Sequence, residues 1–142
     1  MRGYKGERRS GFEDRVANYL KSRGVAFDYE PYSYRYNRMV RGGSCNDCSS
    51  SNVVKSSWYT PDFVLSNGIF LEAKGKFTPT NRTSMLEVLN TCTDINRDNF
   101  RVLFMSNNLF GKKGKRYGDW CAAHGIIYAV SHTGEVPEDW IL

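Results

Sequence analysis

Two short apolar runs joined by a turn lie at the centre of the chain, and they predict a buried β-hairpin. The runs span residues 63–65 and 69–71, and a Ser-Asn-Gly turn separates them at 66–68. A three-residue loop of this kind commonly ends in a left-handed residue, a conformation that Gly68 adopts at little cost. Both faces of the predicted hairpin are apolar, and strand pairs with two apolar faces are usually buried.

The length of this turn decides which charged residues meet across the hairpin. A two-residue loop would pair Asp62 with Ala73 and turn it away from Glu72, whereas the three-residue loop pairs Asp62 directly with Glu72. Lys74 lies two residues beyond Glu72, so the two side chains project from the same face. We predict the three-residue loop, which gathers two carboxylates and a lysine on one face.

Carboxylates that oppose each other in a sheet repel, and folding alone gives no reason to place them there. A divalent cation such as magnesium, which prefers carboxylate oxygens, would turn this pair into a binding site. Lys74 could then orient or deprotonate a water molecule, or stabilise charge that builds on a phosphate. The alternative is a structural hairpin whose polar residues face solvent. Because charges on a buried strand pair need partners, we favour a metal site.

Apolar spacing along the rest of the chain predicts helices that alternate with strands. Ser10 and Glu13 have the spacing of a capping box, and the apolar stripe that follows predicts a helix over 11–23, ended by Gly24. Further helices are expected over 82–91 and 117–124, further strands over 25–30, 100–106 and 126–130, and a packed tail over 136–142. This order indicates an α/β fold with a mixed central β-sheet flanked by helices.

An aromatic alternation continues beyond residue 30 through three tyrosines and predicts a long strand bent at Pro31. The strand leads into an extended hairpin that pairs 34–40 with 53–59. A long aromatic strand at a sheet edge favours pairing with another chain. The alternative for these tyrosines is stacking on nucleic-acid bases, but packing is the commoner role.

The tip of the extended hairpin, residues 41–52, is a Gly- and Ser-rich loop that carries Cys45 and Cys48. This Cys-x-x-Cys spacing can hold zinc, but a structural zinc site needs four ligands. The remaining cysteines and histidines show no second matching pair. We therefore expect a flexible tip without zinc, and a zinc clamp shared by two chains is the alternative.

Composition constrains the partner and the compartment. A length of 142 residues suggests one domain, and twenty Lys and Arg against fifteen Asp and Glu give a net charge of +5, which favours a polyanionic partner. Residues 1–9 are basic and Gly-rich, so we expect a flexible arm, either a disordered tail or a DNA contact, before a domain at 10–142. We expect a cytoplasmic protein with reduced cysteines, because no signal peptide or membrane span is evident.

Four blocks of the sequence occur in an order that is specific when taken together. They are SGFEDRV at 10–16, YTPDF at 59–63, NGIFLEAKG at 67–75, and YGDWC at 117–121 with HGI at 124–126. The middle two contain the PD…ExK signature of metal-dependent nucleases, which alone is a loose pattern. Together the blocks resemble the phage endonuclease I family, the T-seven-like Holliday-junction resolvases. The resemblance runs from about residue 9 to Ile141, and residues 37–57 depart from it.

The resemblance implies a restriction-endonuclease-like core in a domain-swapped homodimer, with the segment at about 31–58 bridging the subunits. It implies hydrolysis of phosphodiester bonds in branched DNA, mainly four-way junctions, with two Mg²⁺ or Mn²⁺ ions in each active site. The implied catalytic residues are Glu13, Asp62, Glu72 and Lys74, and the implied metal ligands are Asp62, Glu72, the backbone carbonyl of Ala73, and Glu13. For Glu13, the alternative is a purely structural capping box.

DNA contacts are expected from cations in the arm and in the loops around the site. They are Arg2, Lys5, Arg8, Arg9, Lys76, Lys112, Lys113, Lys115 and Arg116. Two other functional classes use the same features. A restriction- or homing-type endonuclease would read a sequence on linear duplex, and a non-catalytic junction-binding module would need no metal.

Overall fold

The central hairpin forms in the register that a three-residue loop predicts. The computed structural model of the protein describes residues 2–3, 11–41, 52–110 and 114–142. In it, Phe63 pairs with Leu71 across the hairpin. The N–H of Gly68 donates to the carbonyl of Leu65 at 2.9 Å, and Gly68 has a φ of 91°. The predicted loop and its left-handed glycine are therefore confirmed.

In the described ranges, helices separate groups of strands. The helices are α1 (Gly11–Ser22), α2 (Pro79–Thr91), α3 (Tyr117–Ala123) and α4 (Glu138–Ile141). The strands are β1 (Arg2–Gly3), β2 (Phe27–Tyr29), β3 (Tyr32–Arg41), β4 (Asn52–Tyr59), β5 (Phe63–Leu65), β6 (Phe70–Lys74), β7 (Phe100–Phe104), β8 (Leu109–Phe110), β9 (Lys115–Arg116) and β10 (Ile127–Val130).

Five strands form a mixed central sheet in the order β10-β7-β6-β5-β2. β6, β7 and β10 run parallel, and β5 is antiparallel to both β6 and β2. Parallel neighbours need crossover connections, which α2 and α3 supply after β6 and β7. The predicted α/β class with a mixed central sheet is confirmed.

Each face of the central sheet covers its own apolar core. Val64 and Phe70 face a core shared with α2 and α3, whereas Phe63, Leu65 and Leu71 face a core shared with α1 and α4. The alternation along the hairpin predicts this division. It places the start of β5 and the end of β6, where the charged residues lie, between two helical layers.

The extended hairpin is present as β3 and β4, which pair antiparallel from Tyr34 opposite Tyr59 outwards. The long strand predicted through residue 31 is wrong in one respect, because β2 belongs to the central sheet and β3 to a second sheet with β1 and β4. Between them, Glu30 adopts a φ of 44°. A left-handed turn at Glu30, and not a bend within one strand, redirects the chain ahead of Pro31.

Two further elements differ from the prediction. α2 begins at Pro79 and not at residue 82, because Thr78 and Asn81 form a reciprocal capping box ahead of it. The predicted loop at 107–116 contains the antiparallel pair of β8 and β9. α1 ends as predicted before Gly24, which has a φ of 70°.

Several predicted features fall outside the described residues. They are Cys45 and Cys48, the tip of the extended hairpin, and most of the basic arm, of which only β1 is described. β1 pairs with the start of β3. None of the helices in the described ranges has the length and apolar character that crossing a membrane requires.

Candidate active site

Asp62 lies just before β5, and the backbone of β6 fixes its carboxylate. Its Oδ2 accepts a hydrogen bond from the N–H of Ala73 at 2.9 Å. Desolvation raises the pKa of Asp62 well above its ordinary value, and the negative charges of Glu72 and Glu13 raise it further. An ionised Asp62 is therefore costly at this position unless additional positive charge is nearby.

Glu72 lies in the middle of β6 and is buried, with 3% of its surface exposed. Its Oε1 accepts hydrogen bonds from the N–H of Asp62 at 3.2 Å and from the hydroxyl of Tyr59. Its Oε2 lies 3.4 Å from Nζ of Lys74. The charge of Glu72 is the main cause of a raised pKa of Lys74, so the lysine is held as an ammonium.

Glu13 reaches the same region from the first turn of α1. The hydroxyl of Tyr29 donates a hydrogen bond of 2.6 Å to its Oε2. α1 packs against the central sheet through Phe12 and Val16, which are both buried, and this packing sets where its first turn lies. Ser10, the predicted capping partner of Glu13, is outside the described part of the chain.

Glu30, which sequence reasoning missed, completes a cluster of three carboxylates. Carboxylate oxygens of Glu13, Glu30 and Asp62 lie within 4.8 Å of one another. The N–H of Glu30 donates to the carbonyl of Asp62 at 2.9 Å. Burial raises the pKa of Glu30, and the charge of Glu13 adds to this effect. The left-handed backbone of a non-glycine residue costs roughly 1–3 kcal/mol, so the surrounding structure must hold Glu30 in place.

The signal for Glu30 is the pairing of β2 with β5. Tyr29 is opposite Phe63 in that pairing, and the next position in the same register sets Glu30 opposite Asp62. The alternation along residues 25–30 only puts Glu30 on the polar side of its strand. Recognising it as a site residue requires knowing which strand β2 joins, and single-sequence patterning does not give that.

Two tyrosines hold the carboxylates from outside the cluster. Tyr29 donates to Glu13, and Tyr59 donates to Glu72. Desolvation is the largest cause of a raised pKa for both phenols, so both remain protonated donors at neutral pH. A neutral phenol orients a carboxylate without balancing its charge.

The donor set fits a divalent cation of the magnesium type. Three carboxylates converge, and a fourth, that of Glu72, is tied to Asp62 through the backbone. Mg²⁺ and Mn²⁺ prefer such oxygen ligands, and their charge would relieve the repulsion and desolvation at Asp62. The N–H of Ala73 is bonded to Asp62, and the role of the Ala73 carbonyl as a ligand stays a prediction.

Comparison with known proteins assigns the chain to a family. Residues 2–142 match the family model described as phage endonuclease I. The chain belongs to the phage endonuclease I family. It is 35% identical over 125 residues to endodeoxyribonuclease 1 of Enterobacteria phage T3, and the aligned region covers 85% of this chain and 70% of that protein. It is 33% identical over 137 residues to endonuclease I of Escherichia phage T7, covering 94% of this chain and 77% of that protein.

In this member of the phage endonuclease I family, three of the predicted DNA-contacting side chains are described. Lys76, Lys115 and Arg116 are all exposed, and Nη1 of Arg116 donates to the carbonyl of Asn107 at 2.8 Å. The side chains of Arg2, Lys5, Arg8, Arg9, Lys112 and Lys113 lie outside the described part of the structure. A DNA contact by any of these cations stays a prediction.

Proposed function

We propose that this protein is a metal-dependent DNA endonuclease that resolves four-way junctions and other branched DNA by hydrolysing phosphodiester bonds. Membership of the phage endonuclease I family, and relatives named as an endodeoxyribonuclease and an endonuclease, support the cleavage of DNA. The observation that carries the metal dependence is the approach of the Glu13, Glu30 and Asp62 carboxylates to within 4.8 Å of one another.

The acidic residues would hold the cations, with two Mg²⁺ or Mn²⁺ ions in each site. Glu13, Glu30 and Asp62 form one group of ligands, and Glu72 with the Ala73 carbonyl extends it. When bound, such ions supply positive charge to the phosphate oxygens and lower the pKa of water. Asp62 is the common member, because its carboxylate lies near Glu13 and Glu30 while its N–H donates to Glu72.

Lys74 is the residue best placed to act on the reacting phosphate. Its Nζ lies 3.4 Å from Glu72, and both residues line a cavity that opens at the end of β6. An ammonium there can donate to the attacking water or to a phosphate oxygen, and it stabilises the negative charge of the transition state. Tyr59 restricts the rotation of Glu72 and thereby fixes where Lys74 points.

The proposed substrate favours a homodimer. A four-way junction offers two symmetric cut positions, and a two-fold dimer with one site in each subunit matches them. β3 and β4 connect α1 and β2 to the catalytic hairpin, so two chains can exchange α1 and β2 and still bring Glu13 to Asp62. Light scattering at micromolar concentration is expected to give twice the chain mass of 16.3 kDa. A stable monomer at that concentration would contradict the dimer.

One assay tests the proposed function directly. Purified protein in magnesium is offered a fixed four-way junction and, separately, linear duplex with the same arm sequences. Paired cuts near the branch point, with little cleavage of the duplex, are expected. Sharp cleavage at one sequence of the linear duplex would instead indicate a restriction-type enzyme. Binding without cleavage in any divalent metal would indicate a non-catalytic junction-binding protein.

A further inference from the structure

A groove leads away from the catalytic residues between α2 and the hairpin of β3 and β4. Its first part is a cavity of about 240 Å³ whose lining includes Glu72 and Lys74. Its second part, also about 240 Å³, lies between Arg38 and the first turns of α2. Ser84 lines both parts, so the two cavities are neighbours on α2 and together form a groove from Glu72 and Lys74 to Arg38.

Two side chains of α2 hold the hairpin beside this groove. Oγ1 of Thr91 accepts the N–H of Asn37 at 2.9 Å, and a carboxylate oxygen of Glu87 accepts the N–H of Met39 at 2.6 Å. These bonds satisfy backbone donors of β3 that would otherwise lie at an open strand edge. They also fix the distance between α2 and β3, so the folded chain holds the groove open in one shape.

The wall formed by the hairpin carries positive charge. β3 and β4 contain three arginines and one lysine, with no aspartate or glutamate. Arg38 is opposite Lys55 in the strand pairing, on the hairpin face that also carries Tyr36 and Tyr59. That face lines the first cavity through the two tyrosines.

Within the described residues of the hairpin, folding gives no reason to place Arg38 opposite Lys55. Both side chains are exposed, and like charges directly opposite each other in a sheet are destabilising. The first turn of α2, on the opposite wall, contains no acidic residue. Glu87, which lines the second part of the groove further along α2, is bonded to the N–H of Met39. A polyanion lying in the groove would convert the repulsion between the two cations into a shared attraction.

We propose that this groove binds the sugar–phosphate backbone of the DNA strand next to the scissile phosphate, with Arg38 and Lys55 as phosphate contacts. The inference rests on the proposed cleavage of DNA. Lys55 lies four residues along β4 from Tyr59, whose hydroxyl binds Glu72, a span of about 13 Å at 3.3 Å per residue. One strand of duplex DNA advances about 3.4 Å along the helix axis per nucleotide, so this span covers at most about four nucleotides. The contacted phosphates therefore lie within about four nucleotides of the cut.

The first test removes the two charges and measures how DNA binding depends on salt. A plot of log affinity against log salt has a negative slope. For Arg38→Gln/Lys55→Gln, the size of this slope is expected to decrease by about 1.8, since each lost phosphate contact removes about 0.9. The junction affinity of the metal-free protein should fall about tenfold or more, and KM for cleavage should rise. Lys21→Gln/Arg23→Gln, which removes two charges from the far end of α1, should match wild type in slope and activity.

The second test substitutes Ser84, which lines both parts of the groove, and leaves Arg38 and Lys55 unchanged. Ser84→Glu places a carboxylate in the groove, and Ser84→Gln places an uncharged side chain of similar size at the same position. Affinity should fall much further for Ser84→Glu than for Ser84→Gln, because only the former repels phosphate. Equal losses would show that Ser84 responds to bulk alone and would overturn the groove as a phosphate site.

The outcomes separate this inference from the proposed function. If wild type cleaves a junction in magnesium but Arg38→Gln/Lys55→Gln keeps the wild-type salt slope, the groove inference is wrong and the function stands. If wild type cleaves no DNA in any divalent metal, the proposed function itself fails. If the same double substitution changes the mass measured by light scattering, the groove face is an interface between copies of this chain, and the inference is likewise overturned.

Discussion

The two carboxylates that face each other across the hairpin of β5 and β6 have opposite surroundings. Glu72 has Nζ of Lys74 at 3.4 Å and accepts hydrogen bonds from the Tyr59 hydroxyl and the Asp62 N–H. Asp62 instead shares its surroundings with the carboxylates of Glu13 and Glu30, and its pKa is raised by burial and by negative neighbours. Charge is balanced on one side of the hairpin and accumulates on the other.

This difference shows which half of the motif folding alone can explain. A buried glutamate with an ammonium and two hydrogen-bond donors is a tolerable structural arrangement. Three carboxylates gathered around a desolvated position are not, because each one raises the cost of ionising the others. The Asp62 side is therefore where an added cation stabilises the protein most, and the Glu72 side positions Lys74.

The largest expected effect comes from Asp62, which joins both halves. Asp62→Asn should abolish cleavage of a four-way junction in magnesium, because the substituted side chain is a poorer ligand and carries no charge. Junction binding should survive, since affinity derives mainly from basic contacts to phosphates. Glu72→Gln should behave in the same way. Gel assays of cleavage and binding check both variants, and cleavage within about tenfold of wild type would remove that residue from the catalytic site.

The sequence predicts the half of the site that lies within one hairpin. Gly68 sets the loop length, and the loop length sets the register that aligns Asp62 with Glu72 and leaves Lys74 beside Glu72. Glu30 could not be predicted in the same way. Its place depends on a pairing between strands more than thirty residues apart. It also depends on a left-handed backbone at a residue that is not glycine, so the sequence gives no sign of it.

Sequence patterns could not predict the groove or the tyrosine contacts either, because both form between elements that are separated in the sequence. Tyr59 resembles any other aromatic residue of an alternating strand, and its bond to Glu72 forms only when the end of β4 lies beside β6. The groove needs β3 and α2 side by side, and that arrangement depends on hydrogen bonds from Thr91 and Glu87. Local periodicity predicts elements, whereas these features arise between elements.

Glu30→Gln tests the acidic side of the comparison. The affinity of this variant for Mn²⁺, measured by calorimetry, is expected to be at least about tenfold lower than that of wild type, because one of three converging carboxylates is lost. Asp28→Asn is the matched control, since Asp28 is an exposed acid in the same strand segment. Equal affinities for Glu30→Gln and Asp28→Asn would mean that Glu30 is a neighbour of the metal site and not a ligand.

The two sides are compared by removing one tyrosine hydroxyl from each. Tyr59→Phe should lower the free energy of unfolding by about 1–3 kcal/mol, because buried Glu72 loses a hydrogen-bond donor. It should also lower kcat more than it raises KM, since Glu72 no longer holds Lys74 in one place. Tyr29→Phe acts on Glu13, which is only half-buried, so a smaller loss of stability is expected in urea unfolding. A larger loss of unfolding free energy for Tyr29→Phe than for Tyr59→Phe would contradict the view that hydrogen bonding stabilises Glu72 more than Glu13.

The acidic side should also contribute its own pH dependence of stability. The pKa of Asp62 in the folded protein is raised above its ordinary value of 3.8, so the folded protein binds this proton more tightly than the unfolded chain does. Stability of the metal-free protein should therefore fall as pH rises from about 3.8 towards the raised pKa of Asp62. Paired acids such as Glu138, whose pKa is lowered, act in the opposite direction, but they are the same in Asp62→Asn. The difference in unfolding free energy between wild type and Asp62→Asn, measured in chelator across this range, gives the contribution of Asp62 together with that of the acids coupled to it. We expect Asp62→Asn to gain stability relative to wild type as pH rises, and a constant difference would show that Asp62 ionises without cost.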